Sequence, residues 1–200
     1  MKKIILLLVA VATLSICSIS ESNAQFSAGL RVGFNASKYT GNVGANRFVP
    51  GVHIGAYFRV AIKTKYRIQA DVLFSTKGAV TVGSLNGSPE KYYGVPFYID
   101  VPVMFNYKPV AGLYVEAGVQ PSFALTQLNF SANTSSQFSS PSANNLKAVM
   151  FSPITGVGYE FKKVSLGVRA AFAGTSYSTF NASTYNPKTL TLMATFGFKF

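Results

Sequence analysis

Side chains in the last twelve residues alternate between an apolar and a more polar set, which is the period of a β-strand with two unlike faces. The apolar set consists of Leu190, Leu192, Ala194, Phe196, Phe198 and Phe200. A strand of this kind that finishes on an aromatic residue has the form of the closing strand of an outer-membrane barrel. We therefore expect Phe196, Phe198 and Phe200 to act as a C-terminal assembly signal.

Seven further segments show the same two-residue period. Together with the last one, they span approximately 25–38, 49–62, 66–77, 97–108, 113–126, 147–161, 164–174 and 189–200. Eight such segments predict an all-β fold, namely an eight-stranded antiparallel transmembrane β-barrel with both termini on the same side.

The connections between these segments alternate in length. Short connections lie at 63–65, 109–112 and 162–163, and longer polar ones lie near 39–48, 78–96, 127–146 and 175–188. Short periplasmic turns and long external loops are the expected asymmetry of an outer-membrane barrel. Residues 129–145 are rich in Ser, Thr and Asn, and we expect them to form a mobile external loop.

The N-terminal segment has the pattern of a secretory signal peptide. Two lysines precede an apolar run at 4–14, and small residues lead to a cleavage site between Ala24 and Gln25. The apolar run is shorter than the ~20 residues that a spanning helix needs. We expect residues 1–24 to be a cleaved signal and residues 25–200 to be one barrel domain in the cell outer membrane.

The charged residues of the predicted strands share one face, opposite the apolar set. These residues are Arg31, Arg59, Arg67, Asp71, Asp100, Glu116, Glu160, Arg169 and Lys199. A Lys or Arg that faces lipid at mid-membrane costs about 2–4 kcal/mol, whereas opposite charges inside a barrel can pair. Side chains can fill an eight-stranded barrel. We therefore predict a filled polar interior, stabilised by a lumen ion-pair network, and not a pore.

Composition bears on the partners of the chain. It is 48% hydrophobic, only 12% charged and has a net charge of +12, whereas a soluble domain carries about 25% charged residues. The basic residues are scattered without a nucleic-acid-binding motif, so we expect no nucleic acid partner. Outer-membrane lipid and lipopolysaccharide are the expected contacts, with the barrel-assembly machinery during insertion and other envelope proteins as further candidates.

Catalytic and metal chemistry have weak support. His53 is the only histidine, and pairing across the 63–65 turn places it opposite Ser75 and places Asp71 opposite Tyr57. A catalytic triad also needs a group that orients the histidine, and no acidic residue is evident. A hydrogen-bonded lumen histidine is therefore favoured. With one histidine and no cysteine after residue 24, we predict no enzyme activity, no metal and no cofactor.

Three prolines lie within the predicted strands, and we expect bulges or local strand ends at Pro102, Pro121 and Pro153.

The chain also resembles the PorT-like outer-membrane β-barrel proteins of Bacteroidota-type Gram-negative bacteria. The resemblance lies in Gly29–Asn35, Gln69–Ala79, Tyr98–Lys108, Leu113–Leu125, Gly156–Phe161 and Phe196–Phe200. Family strands carry a sequence such as Glu-Ile-Pro where this chain has Asp100-Val101-Pro102, so the resemblance makes Pro102 and Pro121 family features. It implies an integral outer-membrane protein, but a fold does not carry its function with it.

Three functions follow from these expectations. The first is a non-enzymatic structural or interaction role, in which the long external loops bind surface polysaccharide, envelope lipid or another envelope protein. The second is an accessory subunit of a protein secretion machine, as the PorT-like resemblance implies. The third is a weak small-solute channel, which a filled lumen disfavours.

Overall fold

The computed structural model describes residues 26–40, 48–77, 79–85, 88–131, 134–139, 148–172 and 188–200. The strands in these ranges are β1 (Phe26–Thr40), β2 (Val49–Lys63), β3 (Tyr66–Thr76), β4 (Ala79–Leu85), β5 (Ser88–Asp100), β6 (Val103–Tyr107), β7 (Leu113–Ser131), β8 (Thr134–Ser139), β9 (Val149–Glu160), β10 (Val164–Phe172) and β11 (Lys188–Lys199). In this part of the chain, no helix has the length and apolar character needed to span a bilayer.

Eight strand positions close into an antiparallel barrel, as the alternating pattern predicts. The order around the barrel is β1, β2, β3, the pair β5 and β6, then β7, β9, β10 and β11, and β11 pairs with β1. The strands β5 and β6 share one position because the ladder is interrupted at Val101 and Pro102. Closure joins the ends of the described chain, with Gly29 opposite Lys199.

The two faces of the wall differ as expected for a membrane barrel. Large apolar side chains point outward, and Phe34 and Val168 are 73% and 57% exposed. Charged side chains point inward, and Arg31 and Asp71 are almost fully buried. This arrangement reverses that of a soluble protein. The interior is polar only in part, because the apolar side chains of Met104, Ile154, Ala171 and Met193 also form a buried cluster.

An aromatic band surrounds the short-turn end of the barrel. Tyr66 stacks on Phe105 and Tyr107, with ring centroids 5.7 and 5.3 Å apart, and Tyr159 lies 4.8 Å from Phe161. These rings lie at the ends of their strands, next to the turns. Amphipathic aromatic rings of this kind fit the boundary between lipid and water.

The prolines behave in two ways. Pro102 interrupts the strand, as expected, and its carbonyl accepts a hydrogen bond of 3.0 Å from the Asp71 amide. The expectation of bulges or strand ends is wrong for Pro121 and Pro153, which lie within β7 and β9 in an unshifted register. Pro121 and Pro153 each lack a backbone N–H donor, but the residue pairs on either side of them keep β7 and β9 in a continuous antiparallel register.

Four strands extend beyond the long-loop rim of the barrel. We call this the distal sheet: β4, residues 88–96 of β5, residues 127–131 of β7, and β8, paired in that order. The prediction of loops at 78–96 and 129–145 is therefore wrong for most of the described residues there. A membrane strand needs about 9–11 residues. Strand β7 has 19 residues, so its pairing with β5 and β8 continues beyond the length that a bilayer requires. Lipid does not impose an apolar–polar alternation on that part of the strand.

Candidate functional site

The charged side chains in the lumen form three clusters along the barrel axis. The central cluster contains Asp71, which accepts hydrogen bonds from both Arg31 and Arg169, the latter at 2.7 Å. Arg169 also donates from its Nε and Nη2 atoms to the two carboxylate oxygens of Glu116. All four side chains are buried, and the cluster pairs two guanidinium groups with two carboxylates.

Neutral side chains complete the central cluster. The amide nitrogen of Gln69 donates to Asp71 Oδ1 at 2.8 Å, and that of Asn106 donates to Glu116 Oε2 at 2.9 Å. The Tyr57 ring lies beneath the guanidinium of Arg31, 4.8 Å from its centroid. Amide donors and an aromatic face stabilise charges that water cannot reach.

The short-turn cluster is built around one carboxylate. Glu160, the last residue of β9, accepts hydrogen bonds from Arg59 at 3.0 Å, Arg67 at 2.6 Å and Lys108 at 3.1 Å. Arg59 also uses Nε and Nη2 to bind the Gln69 side-chain oxygen, which links this cluster to the central one. Three cations therefore share a single carboxylate.

The long-loop cluster contains one ion pair and hydroxyl groups. Lys77 Nζ donates to Asp100 at 2.6 Å and to the Ser122 hydroxyl at 2.9 Å. The Ser75 hydroxyl donates to the other oxygen of Asp100. One cation and one carboxylate are matched here, and both are buried.

His53 lies near this cluster, opposite Ser75 as predicted. Its Nδ1 hydrogen-bonds the side-chain oxygen of Asn35 at 2.6 Å, so an amide orients the ring, a partner that sequence reasoning missed. The ring packs over Gly33, where an added Cβ would lie 2.5 Å from it. Because the Ser75 hydroxyl donates to Asp100, its proton is not directed at His53. This geometry is that of a packed lumen histidine.

Eight of the nine residues expected in the lumen network make ion pairs in the structure, and they lie in the three clusters described above. The ninth, Lys199, lies half-buried on the inner face and makes no ion pair with a described residue. Sequence reasoning missed Lys77 and Lys108 as network members. Both are the last residues of their predicted segments and share the parity of the inward residues, so the pattern places them inside although they were not predicted as members of the network.

The other predicted site residues stand apart from the lumen. Phe196, Phe198 and Phe200 face outward on the last strand, where they are exposed to the surroundings of the barrel. Ala24 and Gln25, the expected cleavage site, lie outside the described residues. Among the described residues, no group of three His, Asp or Glu side chains converges as ligands for a metal ion.

The sequence matches a known protein family. Residues 20–184 match the outer membrane protein beta-barrel domain family. The chain belongs to this family. No curated protein matches the chain significantly in sequence.

Two solved structures share the fold of this chain. Ail, the attachment invasion locus protein of Yersinia pestis, was solved in complex with the heparin analogue sucrose octasulfate. It is 12% identical, with a TM-score of 0.50 over 88% of this chain and 99% of Ail. Neisserial surface protein A is 14% identical, with a TM-score of 0.50 over 90% of this chain and 100% of its own. At such identities the likeness shows the fold alone.

Membership of this family indicates which side of the outer membrane each end of the barrel faces. Members are outer-membrane proteins, so the exposed apolar wall faces lipid. In outer-membrane barrels the short turns face the periplasm and the long connections face outward. The short-turn cluster thus lies near the periplasmic mouth, and the distal sheet lies at the opposite end.

Proposed function

We propose that this outer-membrane barrel is a non-enzymatic interaction protein that binds its partner through the long-loop end. The observation that carries the proposal is the distal sheet, which extends four strands beyond a closed barrel. A barrel that served only to span the membrane would need no strand longer than about 11 residues. Strand β7 continues well past that length.

The chemistry of this end indicates the kind of partner. The four long connections, at 39–48, 78–96, 127–146 and 175–188, are rich in Ser, Thr, Asn, Tyr and Phe. Their only charged residues are Arg47, Glu90, Lys91 and Lys188. Hydroxyl, amide and aromatic side chains supply adaptable hydrogen bonds and rigid contact area, as in antibody loops. We therefore propose a weakly charged glycan or protein surface as partner, in contrast to the polysulfated ligand in the Ail structure.

A deletion tests the proposal. Ala79 and Gly94 are directly paired, so residues 80–93 can be replaced by an Asn-Gly turn, the preferred two-residue hairpin loop. The purified variant and wild type, in lipid nanodiscs, are compared on glycan arrays and by cross-linking to outer-membrane extracts. We expect the deletion to abolish the binding shown by wild type, and Lys163→Gln, at the opposite end, to retain it. Equal binding by all three proteins would contradict the proposal.

A second candidate is an accessory subunit of a protein secretion machine. It is supported by the PorT-like stretches, which include the Asp100-Val101-Pro102 sequence at the strand break. A mild-detergent pull-down of the native protein from outer membranes tests it. A complex of fixed stoichiometry with secretion components, together with loss of secretion on gene deletion, would move this candidate to first place. A lone barrel would remove it.

A solute channel is disfavoured by the lumen. Arg31, Asp71, Glu116 and Arg169 are buried side by side, and their paired side chains occupy the centre of the lumen. We expect no stable conductance step when the protein is inserted in a planar bilayer. A reproducible single-channel step, lost on closing the lumen with a larger side chain, would revive this candidate.

A further inference from the structure

The short-turn end contains a polar cavity that the function proposed above does not use. Its volume is about 460 Å³. Its charged lining residues are Arg59, Lys63, Arg67, Lys108, Lys199 and Glu160. Five cations thus surround one carboxylate. Like charges held close together in a partly dry site repel one another strongly unless an anion is near.

Arg67 lines this cavity, and one edge of its guanidinium has no hydrogen-bond partner among the described residues. Its Nη1 atom donates to Glu160 at 2.6 Å, while Nε and Nη2 are buried without a hydrogen-bond partner among the described residues. More than nine-tenths of the side chain is buried. Nε and Nη2 form one edge of the planar guanidinium, and two parallel N–H groups on such an edge match two oxygens of a phosphate or carboxylate. A buried donor pair without an acceptor is unfavourable.

Two lysines add unpaired charge to the same cavity. Lys63 and Lys199 line it, and neither makes an ion pair or side-chain hydrogen bond with a described residue. Lys63 ends β2 and Lys199 ends β11, and the two flank the mouth from different strands. The carboxylate of Glu160 is already shared by three cations, so it cannot neutralise them as well.

We propose that this cavity binds a phosphate group, with Lys63 and Lys199 as charge partners and with Arg67 as the bidentate donor once its Nε–Nη2 edge turns toward the cavity. A phosphate group carries up to two negative charges and several acceptor oxygens, so it matches the surplus of cations better than one carboxylate does. The cavity volume is ample for such a group. The phosphate is either soluble or the headgroup of a lipid at the periplasmic surface.

Calorimetric titration with inorganic phosphate tests the proposal. The protein is folded in neutral detergent micelles at low salt, and the folded fraction of each variant is checked by its gel mobility before and after heating. We expect saturable binding of one phosphate per barrel. Arg67→Lys keeps the charge but loses the two-pronged edge, and we expect affinity to fall about tenfold. Lys199→Gln has no ion pair to lose, and we expect a drop of roughly threefold or more.

Lys163→Gln is the matched control, because Lys163 is an exposed turn lysine that does not line the cavity. We expect it to change affinity less than about twofold. Failure of wild type to bind phosphate, or an equal loss in Lys163→Gln and Lys199→Gln, would overturn the proposal. If Arg67→Lys does not fold, Lys199→Gln and Lys63→Gln decide the outcome. Competition by phosphatidylglycerol in the micelles would assign the site to a lipid headgroup, and unchanged phosphate binding would assign it to soluble phosphate.

Discussion

The charged clusters near the two ends of the barrel differ in their ratio of cations to carboxylates. At the long-loop end, Asp100 is matched by one cation, Lys77, and the remaining partners are serine hydroxyls. At the short-turn end, Glu160 is shared by three cations, and two further lysines line the same cavity. Among the described residues, the long-loop cluster is electrically balanced, whereas the short-turn cluster has a surplus of positive charge.

The difference follows from how far each cluster lies from water. Asp100 and Lys77 are almost fully buried, so their charges must cancel within the protein. Glu160 and Lys108 are 14% and 26% exposed, which lets solvent and mobile anions screen the surplus. A barrel interior can therefore hold unbalanced charge only near its mouth, and such a mouth is suited to binding an anion.

The largest effect is expected from removing the carboxylate at the short-turn end. Glu160→Gln leaves Arg59, Arg67 and Lys108 without their shared anion. Loss of one partner from a buried charge cluster costs about 3–5 kcal/mol. We expect the free energy of unfolding, measured by urea titration in lipid vesicles, to fall by that amount.

The salt dependence of this variant sharpens the comparison. Because unpaired cations repel one another and salt screens that repulsion, the stability loss of Glu160→Gln is expected to shrink at high ionic strength. Asp71→Asn, deep in the central cluster, is the control, and its loss is expected to depend little on salt. Equal salt dependence in both variants would contradict the distinction between a screened mouth and a dry centre.

An arginine placed on the outer surface tests where the lipid-facing apolar surface between the two ends is centred. We call this surface the apolar belt. Val168 faces outward in the middle of β10, and Val164 begins the same strand on the same face at the short-turn end. Arginine at the bilayer midplane costs about 2–4 kcal/mol, and at the interface about 0–1 kcal/mol. We expect Val168→Arg to reduce folding yield into vesicles sharply, and Val164→Arg to fold nearly as wild type. Similar yields for both would mean that the belt is not centred on Val168.

The sequence predicts which side chains of each strand face outward, because apolar side chains are stable in lipid whereas charged ones are unfavourable there. That rule placed Arg31, Asp71 and Arg169 inside, and the register placed Ser75 opposite His53. Beyond the membrane, lipid does not impose this alternation, so the sequence predicts loops where the structure has the distal sheet. The alternation also does not predict which side chains form hydrogen bonds with each other inside the barrel. Asn35 orients His53 across two paired strands, and no local sequence signal marks an amide for that contact.

A smaller net effect is expected from removing the balanced pair at the long-loop end. Lys77→Met with Asp100→Asn deletes both charges of one buried pair, and such replacements are often near neutral. We expect the double variant to lie within about 1 kcal/mol of wild type, whereas Asp100→Asn alone loses about 3 kcal/mol. Urea unfolding of the two single variants and the double variant gives the coupling energy. A double variant as unstable as Asp100→Asn would mean that the serine hydroxyls depend on the charges.

The smallest effect on stability is expected from shortening the distal sheet. Replacing residues 80–93 with an Asn-Gly turn removes β4 and part of β5, but the pairs between β3 and β5 that close the barrel, from Leu73–Asp100 to Thr76–Phe97, are kept. Because the removed strands lie outside the closed barrel, we expect the free energy of unfolding to change by less than about 1 kcal/mol. The same urea titration measures it. A loss as large as that of Glu160→Gln would mean that the distal sheet is part of the barrel's folding core, and partner binding would then have to be assigned to other residues of the long-loop end.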